Sequence, residues 1–90
     1  MDALKPSSYE LTRVWQKKVV AARERYERES GTLRKTIDDS LQHGGRIGPD
    51  GTLAITKARQ KESEALQLYM KALRVLADLV LAGKVPEEDS

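Results

Sequence analysis

An all-α fold, an antiparallel hairpin of two long helices, is what the 90-residue chain predicts, and three observations carry that expectation. Apolar residues recur at three- and four-residue spacings over two long stretches, the period of a helix with one buried face. Between those stretches, Gly44 to Gly51 holds four of the six glycines and one of the three prolines, which marks a loop. The chain has no Phe, one Trp and three Tyr, so its core must come mainly from Leu, Val, Ile and Ala, residues that suit helix-on-helix layers.

The elements follow in order. Residues 1–7 form a short lead with Pro6, and Ser7 or Ser8 can cap a helix that has Glu10 in its first turn. Helix 1 is expected over 8–43, with Leu11, Trp15, Val19, Ala22, Tyr26, Leu33, Ile37 and Leu41 on one face. Glu29, Ser30 and Gly31 interrupt that face, and Gly costs about 1 kcal/mol relative to Ala inside a helix. The pattern resumes in nearly the same phase beyond Gly31, so one continuous helix is expected. Residues 44–51 are the loop. Helix 2 is expected over 52–82, with Thr52 as its cap and Ile55, Ala58, Leu66, Tyr69, Leu73, Leu76 and Val80 on its periodic positions. Gly83 followed by Pro86 is a helix stop, and residues 83–90 end in a frayed acidic tail.

Two helices of these lengths, each about 50 Å, must fold back antiparallel across so short a loop. Folding at the loop sets Tyr26 near Met70, Ala22 near Leu73 and Trp15 near Val80. The ends of the hairpin then differ. Near the loop the seam is thin, with Arg59 and Glu62 on or beside it, whereas the terminal end is thick with Leu, Val and Trp. Between Ala65 and Ala82 the only charged or amide residues are Gln67, Lys71, Arg74 and Asp78, which lie on one narrow stripe. The stripe predicts that these four alone are strongly exposed there, and that the remaining faces need more cover than one helix supplies. The expected interface is therefore Leu11, Val14, Trp15, Leu68, Tyr69, Leu73, Leu76, Leu79, Val80 and Leu81, filled by a second copy that completes a four-helix bundle or by a helix of a different protein.

Composition excludes several kinds of chemistry. Without Cys there are no disulfides, thiolate nucleophiles or Cys-based zinc sites, a composition compatible with the cytoplasm. No basic stretch followed by an apolar run opens the chain, so a signal peptide is not expected. The apolar run of helix 2 is interrupted by Lys71, Arg74 and Asp78 and is not a membrane span. His43 is the single histidine, and at a helix end it meets free carbonyls rather than acting as a base. Carboxylate–histidine metal sites, serine triads and phosphate loops all fail for want of residues, so no cofactor, metal or catalytic residue is expected.

Sixteen Lys and Arg stand against fourteen Asp and Glu, for a formal charge of +2. Arg13, Lys17, Lys18, Arg25 and Arg28 make the most basic region, but Glu24, Glu27 and Glu29 are interleaved at i,i+4 spacing. A mixed-sign helix face argues against nucleic acid as a partner.

The segment Leu33, Arg34, Lys35, Thr36, Ile37, Asp38 resembles a helix signature of the all-helical chorismate mutases. Such enzymes imply an alternative, rearrangement of an anionic substrate by preorganised charge, for which Arg59, Glu62 and Arg34 would form the enclosed cluster. Here the segment ends the first helix instead of beginning it, and the downstream basic pattern is missing. The leading expectation is a non-enzymatic protein-interaction or scaffolding module.

Overall fold

The computed structural model describes residues 8–42 and 48–86 of the chain. Two helices account for nearly all of them: α1, Ser8–Gln42, and α2, Pro49–Ala82. They pack side by side as an antiparallel hairpin with principal extents of 67 × 20 × 17 Å. The expected lead over 1–7, His43, loop residues 44–47 and the acidic residues 87–90 lie outside the described residues.

Continuity of α1 through Gly31 follows from packing on its inner side. Glu29, Ser30 and Leu33 are all half-buried against α2 while Gly31 faces water, so the glycine sits where it disturbs no contact. A Cβ added there would meet nothing within 4 Å.

The start of α2 differs from expectation. Gly48, not Thr52, is the N-cap, with φ −78° and ψ 178° and no side-chain cap. Pro49 occupies the first helical position, where its missing N–H would have had no partner in any case and its fixed φ is already helical. The Thr52 N–H donates to the Gly48 carbonyl at 2.9 Å, so Thr52 belongs to the first full turn. At the other end the expected stop is present. Gly83 adopts φ 62°, ψ 21°, its N–H donates to the Leu79 carbonyl at 3.2 Å, and the Lys84 N–H reaches back to the Asp78 carbonyl at 3.1 Å. A left-handed residue here turns the chain and satisfies carbonyls the helix leaves open.

The seam follows a strict heptad alternation. On α1 it runs through Thr12, Trp15, Val19, Ala22, Tyr26, Glu29, Leu33, Thr36 and Ser40, and on α2 through Ile55, Ala58, Glu62, Ala65, Tyr69, Ala72, Leu76 and Leu79, all buried or half-buried. Ala58, Ala65 and Ala72 recur every seventh residue, and Ala65 is completely buried. Small side chains in the contact let two helix backbones approach closely, and larger residues from α1 then fill the space beside them. The rings of Tyr26 and Tyr69 stack, with centroids 6.3 Å apart and planes at 23°. One turn toward the loop, the Ser30 hydroxyl donates to the Glu62 carboxylate.

These contacts keep the expected register to within a residue and correct the rotation of α2. Tyr26 stacks on Tyr69, the neighbour of Met70, Trp15 clusters with Ala72 and Leu79, the neighbour of Val80, and Ala22 shares a groove with Ala72, the neighbour of Leu73. The rotation comes from which row of α2 turns inward. The alanine row allows the closer approach, so Leu66, Leu73 and Val80, one residue further round, rotate away from α1. The cluster of buried residues is Leu11, Trp15, Ala72 and Leu79, backed by Val19, Val75 and Leu76, and it occupies the open end as the apolar excess implied. Toward the loop, by contrast, Ala58 is buried while Ile55, Leu33 and Ile37 are half-buried.

Candidate interaction surface

The ten residues expected at an interface fall into two groups once the hairpin is closed. Leu11, Trp15 and Leu79 are buried within the chain, and Tyr69 and Leu76 are half-buried in the same seam. Val14, Leu68, Leu73, Val80 and Leu81 remain exposed. Residues of the first group build the platform, and only those of the second can be touched by another molecule without opening the hairpin.

Exposed apolar side chains on α2 divide between two sides of the molecule. On one side Leu68 lies in a groove with Trp15, Lys18, Ala22, Lys71 and Ala72. The Lys18 ammonium stands 4.0 Å from the centre of the Trp15 ring, a cation–π contact that covers the only indole. A neighbouring depression adds Arg25, Glu64 and Gln67 around the same Leu68. Here Leu68 is the one large apolar side chain of α2, set beside Trp15, Ala22 and Ala72 with Lys18, Lys71, Arg25, Glu64 and Gln67 around the rim.

The opposite side is different in kind. Leu66, Met70, Leu73, Ala77 and Val80 are spaced four, three, four and three apart and all are exposed, which makes a second seam parallel to the one facing α1. Periodicity alone puts Leu66, Leu73 and Val80 on one face with Tyr69 and Leu76, and of these three it places Leu73 and Val80 at the expected interface; the fold separates them from that face as an outer row. Its signal lies in the doubled pattern, since Ala65, Ala72 and Leu79 repeat every seven residues one position before Leu66, Leu73 and Val80. Met70 and Ala77 complete the outer row.

The polar stripe needs a corresponding correction. Gln67, Lys71, Arg74 and Asp78 are exposed as expected, but they are not alone, because the outer seam and Leu81 are open as well. Two helices have too little surface to cover three sides of α2.

Charged groups form no enclosed cluster among the described residues. Arg34 and Arg59 are exposed, and Glu62 is half-buried with Ser30 as its hydrogen-bond partner. Within one chain, Arg34, Arg59 and Glu62 are therefore not enclosed together. Among the described residues no group of three or more His, Cys, Asp or Glu side chains is placed to hold a metal ion. No described helix is long and apolar enough to cross a membrane. On α1, Arg23 and Glu27 meet at 3.3 Å on an exposed face. Comparison with protein-family models, with curated proteins and with solved structures returned no match.

Proposed function

We propose that this protein is a non-enzymatic helical interaction or scaffolding module that associates through the apolar open end of its hairpin. The supporting observation is the set of large apolar side chains that α2 leaves in water over its C-terminal half, Leu66, Leu68, Met70, Leu73, Val80 and Leu81. Burial of such side chains is worth about 1.5–3 kcal/mol each when complete, so leaving this many in water on so small a core argues for a partner that covers them. The reading places the protein in the cytoplasm, with which a cysteine-free chain is compatible.

The test is molar mass by light scattering together with helicity by circular dichroism, both across a dilution series. A mass above the 10.1 kDa of one chain at micromolar concentration is expected, with helicity falling as the assembly dissociates. A fully helical monomer that resists dilution would count against the reading.

A further inference from the structure

Charges whose signs alternate along each helix separate once the hairpin closes. The groove that runs past Leu68 gathers Lys18 and Arg25 of α1 and Lys71 of α2 on one side of the molecule. Helical spacing carries the same side toward the loop. Arg28 and Lys35 continue it on α1, while on α2 Lys61 lies one heptad before Leu68 and Lys57 one heptad before Glu64, and all four of these cations are exposed. Seven cations thus share one lateral face about 25 Å long. Among the described residues Glu64 is the one carboxylate within it, and Asp39 and Asp78 stand at its two ends. Seven against three gives this face a formal charge of +4, twice the +2 of the whole chain. The acids that accompany the arginines in the sequence point elsewhere. Glu27 pairs with Arg23 across the other edge of α1, Glu29 and Glu62 are half-buried in the seam, and Glu24 lies on the back of α1 with Arg13 and Lys17.

We infer that this lateral face docks an acidic amphipathic helix of another protein, laid along the groove between α1 and α2. It is a second surface, separate from the apolar seam of α2, and it serves whether or not the open end is occupied. Charge complementarity sets the sign of the occupant, and the floor of the groove sets its kind. At the open end that floor is aliphatic, Leu68 beside Ala22 and Ala72. A third helix can seat its apolar side chains there while its carboxylates meet the lysines and arginines on both borders. Nucleic acid finds less to hold. Trp15 is 4% exposed with Lys18 over its ring, and Tyr26 and Tyr69 stack on each other in the seam, so this face offers no open ring to a base. A second copy related by a two-fold axis would set the face against itself, cation to cation.

Trp15 is the chain's only indole and reports occupancy of the groove, because Lys18 stands 4.0 Å from the centre of its ring and a carboxylate that draws the ammonium away changes the emission. The probe is a synthetic peptide three heptads long and free of Trp, with Leu at the a and d positions and Glu at e and g; its counterpart carries Lys in place of Glu. At physiological salt the acidic peptide should bind with a micromolar Kd, at least tenfold tighter than the lysine peptide, and salt raised toward 1 M should weaken it at least tenfold more. Arg25→Glu combined with Lys61→Glu, both at exposed positions, should keep the helicity and weaken binding at least tenfold. Arg13→Glu combined with Arg34→Glu, an equal change of net charge on the other edge of α1, should weaken it less than threefold. Equal losses in the two variants, equal binding of the two peptides, or no binding overturns the proposal. Duplex DNA that binds through Arg25 and Lys61 as tightly as the peptide assigns the face to nucleic acid and overturns it as well. So does a tenfold gain in peptide affinity on neutralising Glu87, Glu88 and Asp89, which would assign the face to the chain's own acidic residues. A dilution-resistant monomer that binds the acidic peptide overturns the open-end reading and leaves this one standing.

Discussion

Gly31 and Gly83 show how the same residue type serves opposite roles in one chain. Gly31 lies inside α1 with no neighbour near the position of a Cβ, so nothing in the fold uses its missing side chain. Gly31→Ala should therefore raise stability by about 0.5–1 kcal/mol, measured by thermal or urea unfolding. Gly83 stands at φ 62°, where a side chain is strained whatever the space around it. Gly83→Ala should cost about 1–2 kcal/mol and fray the last turn of α2. The polar stripe allows a second contrast at this scale. Lys71 is exposed, so Lys71→Ala should change stability by less than about 0.5 kcal/mol. Leu79 is 4% exposed within the core, and Leu79→Ala should cost about 2–5 kcal/mol.

Helix pairing in this hairpin depends on its smallest apolar residues. Ala58, Ala65 and Ala72 hold the inner face of α2, and any larger side chain there must either push the helices apart or rotate α2 about its axis. Ala65→Leu should accordingly destabilise the hairpin by about 1–3 kcal/mol by overpacking, whereas Ala77→Leu, on the open row, should leave the monomer within about 0.5 kcal/mol of the parent. Urea titrations of the two variants side by side test the assignment, and a reversal of their order would place the outer row inside. The presence of two long helices, the Gly83 stop and the unbroken path through Gly31 were legible in the sequence. The N-terminus of α2 was misplaced by three residues because Thr52 offered an obvious side-chain cap, while Gly48 and Pro49 begin the helix through backbone geometry alone.

For the molecule as a whole, charge and apolar surface point to different partners, and their distribution decides between them. Arg13, Lys17, Lys18 and Arg25 are all exposed, but the exposed acids Glu24 and Glu27 flank Arg25 along α1. Nucleic acid should bind weakly and lose affinity steeply with salt, and submicromolar binding to a defined sequence at physiological salt would reverse this ranking. The apolar excess is concentrated at the open end, where the buried cluster and the outer seam occupy neighbouring faces of the same half of α2. Its position was legible from the sequence, since the distribution of Leu and Val along a hairpin does not depend on how the helices are rotated. Which of the ten candidate interface residues remain open was not legible, because that depends on the rotation of α2.

Read without any coordinates, the amino acids already imply that the chain is all-α, that two long helices fold back on each other, where the second one stops, and that its terminal half carries more apolar surface than two helices can cover. Each of these follows from periodicity, composition or local backbone preference, which act within a few residues. Which row of α2 faces α1 is settled instead by packing between the helices. Ala65, Ala72 and Leu79 share the seven-residue spacing of Leu66, Leu73 and Val80, displaced by one residue, and a periodic pattern cannot choose between two rows of equal period. Close packing chooses. The alanine row lets the backbones approach and the stacked tyrosines Tyr26 and Tyr69 come into register, and the larger leucine and valine row is left facing outward.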